Sequence, residues 1–281
     1  MILANRGGDL AHADRQDVAD ALSARFPDEL ALHLAEVEDP TEGVVRGTAD
    51  VAVHRIEHLP MKLPEELVLA AVLPRRWPTD SLVSDLPLRS LPKGARVATS
   101  NVRRRAMLLR ARPDLRVIET HADARTRLQS WRVGEWDGLV LSTASVKRLS
   151  LDVPCEEIDS NLFVPSPGQG AIGCICQRGS RFQAFCEGID DRRTRTEVEV
   201  ERAILQSLGG WIGAPVGVHA AMRGDALAVH AIVLSLDGRR AVAHKEDLST
   251  KDPLYESDEF AERLRRMGGD VLLGQARRAL G

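Results

Sequence analysis

Apolar residues in the first part of the chain alternate between strand spacing and helix spacing. A short apolar run covers residues 1–4, and Val18 and Leu22 then recur at a helical interval. Two further runs, at 29–37 and 50–56, have strand character. Strands that alternate with helices are typical of a parallel or mixed sheet, so this pattern predicts an α/β unit.

The same alternation returns after a stretch that is interrupted by prolines. Strands are predicted at 95–100 and 116–120, helices at 101–113 and 124–134, and a strand running into a helix at 136–151. This order predicts a second, doubly wound α/β lobe.

From about Arg192 the pattern changes to one helix, three strands and a closing helix over 258–280. We therefore predict an α/β protein of three domains. Their bounds are 1–75 together with 168–190 for domain 1, 76–167 for domain 2, and 191–281 for a smaller α+β C-terminal domain. Two lobes joined by crossing segments, near 74–78 and 165–170, place a ligand in the cleft between them.

The composition of the chain argues against nucleic-acid and membrane partners. The chain has 281 residues, of which 43% are hydrophobic and 28% charged, and its net charge of −3 argues against nucleic acid or an acidic membrane as a partner. No apolar run approaches the roughly 18 residues that a membrane helix needs. The start of the chain shows no secretory leader, which predicts a cytoplasmic protein.

The four cysteines do not form a metal site. Cys155, Cys174, Cys176 and Cys186 show no zinc-ligand spacing, so we expect free thiols and no bound metal. The segment from His54 to His58 matches a zinc-protease pattern, but that pattern needs a helix, which the strand before it and Pro60 after it exclude.

The most informative polar stretch begins at the end of a predicted strand. Thr99 and Ser100 precede a helix whose first turn carries Arg103 and Arg104. Free backbone N–H groups at a helix start favour an anion, whereas two arginines there oppose the helix dipole unless an anion lies nearby. The stretch therefore predicts an anion site, with a solvated basic helix start as the alternative.

Two glycine-rich stretches have no reactive side chain at their centre. Residues 168–173 match a dinucleotide-binding pattern but lack the strand and helix that this motif requires, so a crossing between domains is the better interpretation. Residues 207–217, SLGGWIGAPVG, predict a tight turn that presents Trp211 and Ile212.

Several ordered stretches resemble the hydroxymethylbilane synthase, or porphobilinogen deaminase, family. They are LANRGGDLA at 3–11, DVAVHRIEHLP at 50–60, VATSNVRRRAMLL at 97–109, TRLQSWRVGEWDGLVLSTASVKRL at 126–149 and VPSPGQGAIGCICQ at 164–177. The resemblance implies three domains, of which the first two are similar to periplasmic binding proteins. It also implies the joining of four porphobilinogens with release of ammonia, primed by a dipyrromethane cofactor that a cysteine of the third domain holds.

The resemblance assigns substrate-binding positions that would hold acetate and propionate arms. They are Arg6, Thr99, Ser100, Arg103, Arg104, His121, Arg127, Arg148 and Gln169. We therefore expect a small carboxylate-bearing partner, such as porphobilinogen or another pyrrole. The oligomeric state stays open.

The resemblance fails at the reaction centre. His58 occupies the position of the family's catalytic aspartate, and Glu57 that of a neighbouring lysine. Ile212, or Trp211 in the other alignment, occupies the position of the cofactor-bearing cysteine, so we expect no attachment and no cofactor. The mobile segment that covers the family's cleft is missing after residue 37 or reduced to a stub.

Three functions follow from this pattern of retention and loss. The first is an enzyme that binds porphobilinogen or a similar acid but catalyses a reaction other than primed tetramerisation. The others are a non-catalytic binding protein and an active porphobilinogen deaminase. His58 and Glu57 are the candidate catalytic residues. Because neighbours in an extended segment point to opposite sides, we expect that Glu57 cannot simply replace the missing aspartate, whereas His58 can act as an acid or base.

Overall fold

The computed structural model describes residues 1–280 and contains a mixed set of strands and helices. In its first half the elements are β1 (Ile2–Asn5), α1 (Asp9–Arg25), β2 (His33–Glu36), α2 (Pro40–Val45), β3 (Val51–Arg55), β4 (Leu67–Val72), β5 (Asp80–Val83), β6 (Arg96–Thr99), α3 (Val102–Ala111), β7 (Arg116–Glu119), α4 (Ala124–Arg132), β8 (Gly138–Ser142) and α5 (Thr143–Arg148). They are followed by β9 (Cys155–Ile158), β10 (Ile172–Gln177), α6 (Arg181–Glu187), α7 (Arg192–Ser207), β11 (Val216–Arg223), β12 (Ala226–Leu234), β13 (Ala241–Ser249), α8 (Pro253–Arg266) and α9 (Gly269–Leu280).

Two mixed five-stranded sheets form the two lobes. The first has the order β2-β1-β3-β10-β4, in which β10 brings the chain back to pair antiparallel with β3 and β4. The second has the order β7-β6-β8-β5-β9, with β6 parallel to both of its neighbours. Their strands are apolar over most of their length and pack against helices, which confirms the predicted α/β class.

The C-terminal part has a different architecture. β11, β12 and β13 form an antiparallel sheet, and α7, α8 and α9 cover one of its faces. Alternate residues of the strands, including Val218 and Val229, are buried against Phe260 and Leu264 of α8. The closing helix predicted over 258–280 is divided at Gly268, whose φ of 97° an α-helix does not allow.

A buried carboxylate fixes both segments that cross between the lobes. Glu201 of α7 accepts hydrogen bonds from the Arg75 guanidinium at 2.8 Å and from the backbone N–H of Gly168 at 2.7 Å. Burial would raise the pKa of Glu201, but Arg75 and then His219 hold it below its ordinary value. The crossing segments are thereby tied to α7, the first helix of the C-terminal part, which lies beside the cleft. Within residues 1–280, no helix combines the length and the apolar character that crossing a membrane would take.

Candidate active site

A cavity of about 280 Å³ lies where the two lobes meet the C-terminal domain. The first lobe contributes the turn after β3, the second contributes the start of α3 together with α4 and the end of β8, and α7 and the turn after it close the third side. The polar and charged side chains of its lining are Arg55, Glu57, His58, Ser100, Asn101, Arg104, Arg127, Ser142, Ser145, Ser166 and Arg202.

The lining is strongly cationic. Within residues 1–280 it includes four arginines and a single carboxylate, that of Glu57. Arg127 donates to the Ser100 hydroxyl at 3.1 Å, and Arg202 donates to three backbone carbonyls of the turn after β3. Burial lowers the pKa of both arginines, which is the physical cost of holding a guanidinium there. An anionic ligand would offset this cost.

Glu57 and His58 lie on the same cavity, contrary to the expectation from the sequence. Residues Ile56–His58 form a 3₁₀ turn instead of continuing the strand, and Oε1 of Glu57 lies 3.8 Å from Nε2 of His58. The Glu57 side chain is only 10% exposed and that of His58 is 57% exposed. The expectation that the two residues point to opposite sides is therefore wrong, because it assumed extended backbone.

The pKa of His58 lies below its ordinary value. Partial burial is the main cause; Glu57 opposes it, and Arg55 and Arg104 add to it. The imidazole is therefore neutral near pH 7 and can accept a proton.

The predicted anion site at the start of α3 is filled by the protein itself. Asp80 is fully buried and lies 2.8 Å from Nη2 of Arg103 and 2.7 Å from Nε of Arg104. Burial would raise the pKa of Asp80, but Arg103 and Arg104 keep it below the ordinary value. The anion that offsets two arginines in a helix start is this carboxylate, and Arg104 also reaches the cavity wall.

Arg103 lies outside the cavity lining. It is 1% exposed and donates to the carbonyl of Val164, to Ser166 and to Gln169. Gln169 in turn donates to the carbonyls of Pro78 and Thr79. This network joins the two crossing segments, so Arg103 and Gln169 hold the lobes in place.

The remaining sequence-predicted residues also lie away from the cavity. Arg148 of α5 bridges the lobes by donating to Asp17 of α1 at 3.1 Å, and Thr99 is buried at the end of β6. Arg6 is exposed and donates to the carbonyl of Glu38, and His121 is exposed beside Glu119.

The glycine-lined turn presents apolar side chains to the cavity. Trp211 and Ile212 both line the cavity, and the Arg277 guanidinium lies over the Trp211 ring, 4.9 Å from its centroid. Positive φ angles at Gly209 and Gly213 make the turn possible.

None of the four cysteines lines the cavity. Cys155 is exposed on β9, whereas Cys174, Cys176 and Cys186 are buried in the first lobe. Hydrogen bonding to Cys174 and burial raise the pKa of the Cys186 thiol, which makes it a poor nucleophile.

The cavity thus brings together seven of the residues that the sequence singles out, Glu57, His58, Ser100, Arg104, Arg127, Trp211 and Ile212. Among the polar lining residues, sequence reasoning missed Arg55, Asn101, Ser142, Ser145, Ser166 and Arg202. Ser142 and Ser145 follow the carboxyl end of β8, where ligands of α/β sheets bind, so their position carried a usable signal. The sequence around Arg202 carried no such signal, because the position of Arg202 depends on how α7 packs on the first lobe.

Two family models match the chain. One is described as porphobilinogen deaminase, dipyromethane cofactor binding domain, and matches residues 30–183; the other, porphobilinogen deaminase, C-terminal domain, matches residues 195–266. The expectation that the protein takes no cofactor is therefore wrong. A missing attachment cysteine removes one covalent link, but it does not by itself exclude the cofactor.

The positive charge and the apolar surface of the cavity suit a dipyrromethane. Its arginines suit carboxylate arms, and Trp211 and Ile212 offer apolar surface to pyrrole rings. Its lining has no thiol within residues 1–280 that would form a thioether.

Relatives of known name match almost the whole chain. A porphobilinogen deaminase of Rubrobacter xylanophilus is 35% identical over 99% of this chain and 97% of its own length. A probable porphobilinogen deaminase of Methanococcoides burtonii is 32% identical over 98% of this chain and 90% of its own length. Among solved structures, a periplasmic substrate-binding protein of an ABC transporter from Coxiella burnetii is 14% identical, with a TM-score of 0.46 over 70% of this chain and 94% of that one. The two matching family models and the near-complete relatives show that this chain belongs to the porphobilinogen deaminase family.

Proposed function

We propose that the cavity binds porphobilinogen and catalyses its deamination and coupling to a pyrrole acceptor. The observation that carries this proposal is the position of Glu57, whose carboxylate lies in a cavity lined by arginines. The arginines suit the substrate's carboxylates, and Glu57 suits the positive charge that develops when ammonia leaves.

Substrate binding rests on Arg127 and Arg104. Arg127 donates through Nε to the carbonyl of Asp123 and through Nη1 to Ser100, but it has no carboxylate partner within residues 1–280. Its charge and its Nη2 donors are therefore available to a carboxylate of the ligand. Arg104 already pairs with Asp80 through Nε and donates to Gln169 through Nη2, and it also lines the cavity wall. Ser100, at the same wall, offers a hydroxyl.

Glu57 stabilises the cation that deamination produces. When ammonia leaves an aminomethyl group, the remaining positive charge spreads into the pyrrole ring. At about 4 Å and an effective dielectric constant near 20, one opposite charge contributes about 4 kcal/mol, equivalent to roughly a thousandfold in rate. The low exposure of Glu57 keeps water from weakening this interaction.

His58 is placed to move a proton during coupling. A pyrrole carbon that attacks the cation must lose a proton to restore its aromatic ring. The neutral imidazole of His58, 3.8 Å from Glu57, can take that proton. A dipyrromethane, when bound, supplies the acceptor ring.

This proposal differs from the reaction that the sequence favours. From the sequence, His58 occupies the family's aspartate position, and the Glu57 carboxylate is expected to point to the opposite side of the segment. The 3₁₀ turn supplies a carboxylate from the preceding residue, which supports chemistry of the family's own kind.

The test is to incubate the purified protein with porphobilinogen and to measure substrate loss, ammonia release and uroporphyrin formed from hydroxymethylbilane. We expect one ammonia per porphobilinogen consumed, at a rate well above that of the protein-free reaction. Saturable porphobilinogen binding without ammonia release would contradict the proposal and would favour a non-catalytic binding protein. Ammonia release without a tetrapyrrole product would favour an altered reaction.

A further inference from the structure

We propose that the dipyrrole acceptor is held in the cavity without any covalent bond to the chain, and that it exchanges with solution. This inference rests on the proposed function, because it concerns the acceptor that the proposed reaction uses. It follows from the nucleophiles of the cavity, from the charges of its lining and from the turn that contains Trp211.

Among residues 1–280, the cavity lining offers neither a thiol nor an activated hydroxyl that would form a stable bond to a pyrrole methylene. Its lining has no thiol within residues 1–280. Its hydroxyls are engaged, since Ser142 and Ser145 lie 2.7 Å apart and bond to each other, and Ser166 accepts from Arg103 at 3.0 Å. Ser100 accepts from Arg127. A serine becomes a nucleophile only beside a base that removes its proton, and these partners are hydroxyls or cations.

The same lining is well suited to hold a polyanion by ionic contacts. Arg127 and Arg202 bond to hydroxyl or carbonyl oxygens and have no carboxylate partner within residues 1–280. Arg55 pairs with Asp14 and Arg104 pairs with Asp80, but both arginines also line the cavity. A dipyrrole with a carboxylate on each arm would supply the missing negative charge at several points at once.

Trp211 provides a surface on which a pyrrole ring can lie. The Arg277 guanidinium covers one side of the indole, and the side chain also borders the cavity. An aromatic ring held in this way gives contact area at little cost in side-chain entropy. Ile212 beside it is 40% exposed and extends the apolar surface of the turn.

Ionic retention predicts a behaviour that covalent retention does not. In about 1 M salt the Debye length is roughly 3 Å, so contacts between partly exposed charges weaken strongly. The dipyrrole should then dissociate, and it should bind again when the salt is removed.

The experiment compares native and denaturing mass spectrometry of the protein after incubation with a synthetic dipyrromethane that carries acetate and propionate on each ring. We expect the added mass under native conditions at low salt, its loss after dialysis against 1 M sodium chloride, and the mass of the bare chain under denaturing conditions. Calorimetry on the dialysed protein then measures rebinding. Arg127→Gln should weaken that binding roughly 10- to 100-fold, the size of a lost charge-assisted hydrogen bond.

Arg110→Gln is the matched control, because Arg110 is exposed on α3 away from the cavity, and it should bind like the wild type. Added mass that survives denaturation would overturn the inference, as would a dipyrrole that fails to bind the dialysed protein. Porphobilinogen turnover is measured on the same samples. Turnover together with covalent mass overturns this inference alone, whereas the absence of both dipyrrole binding and turnover overturns the proposed function as well.

Discussion

The carboxylate of Glu57 and the imidazole of His58 face one cavity, with Oε1 and Nε2 3.8 Å apart. This arrangement arises because Ile56–His58 form a 3₁₀ turn, and because Arg202 of α7 donates to the carbonyl of Ile56, the first residue of the turn, and to that of Leu59, which follows it. The C-terminal domain therefore helps to set the geometry of the first lobe at the candidate active site.

The pH dependence of turnover tests the role of His58. The pKa of this residue is lowered from its ordinary value of 6.5, so the neutral form persists to lower pH than in a free histidine. We expect kcat/KM to fall as the pH drops through this lowered pKa, because the protonated ring can no longer accept a proton. His58→Asn should reduce kcat about 10²–10⁴-fold and remove that part of the profile.

The control for this experiment is His121→Asn, which changes an exposed histidine outside the cavity and should keep the wild-type profile. A His58→Asn variant that retains both the wild-type rate and the acidic limb would show that another group accepts the proton.

Arg103→Ala should affect stability more than ligand binding. The variant removes one of the two guanidinium partners of buried Asp80 and breaks the bonds to Val164 and Gln169. Loss of one partner from a buried ion pair costs about 3–5 kcal/mol, so the midpoint of urea unfolding should fall markedly. Arg110→Ala on the exposed face of α3 should change it little.

The sequence alone assigns Arg103 to the ligand, and the affinity of the folded variant decides between the two roles. A porphobilinogen affinity close to that of the wild type is the expected result. A variant of unchanged stability whose affinity is at least tenfold weaker would restore the ligand-binding role.

Asp14 should make the stability of the protein depend on pH. It is buried between Arg55 and Arg148, and burial is the main reason that its pKa rises from 3.8 to about 6. The folded state binds this proton more tightly than the unfolded state. The free energy of unfolding therefore falls as the pH rises from the unfolded pKa near 3.8 to the folded pKa of about 6, and the full penalty is present above that pH.

Unfolding free energies of the wild type and Asp14→Asn therefore need to be measured from pH 4 to pH 7. Relative to that of the variant, the free energy of unfolding of the wild type should fall by about 2–3 kcal/mol as the pH rises over this range. Asp20→Asn, at an exposed position of the same helix, should show no such difference. A wild type that gains stability relative to Asp14→Asn as the pH rises would mean that the two arginines outweigh burial.

The fold was largely accessible from the sequence, whereas the orientation of key side chains was not. Alternating apolar runs such as 50–56 identify the strands because their spacing reflects local geometry. The partner of Arg103 lies 23 positions away at Asp80, and no local pattern reveals such a pair. The break of the last helix at Gly268 was readable in principle from its Gly-Gly pair, Gly268 and Gly269.

The turn at Ile56–His58 was beyond sequence reasoning for a physical reason. The residues before it form a buried strand, and the local pattern favours continuing that strand to His58. Tertiary hydrogen bonds from Arg202 act on carbonyls of this segment, 143 and 146 positions away in sequence. Long-range contacts of this kind routinely override local preference.

The steady-state rate of ammonia release from porphobilinogen by Glu57→Gln tests the central claim most directly. The substitution keeps the size of the side chain and removes only its charge, so the loss of cation stabilisation should lower kcat roughly 10²–10³-fold with little change in KM. Glu65→Gln, at an exposed position in the loop before β4, is the matched control and should retain the wild-type rate. A Glu57→Gln variant whose kcat for ammonia release lies within about twofold of that of this control would contradict the account.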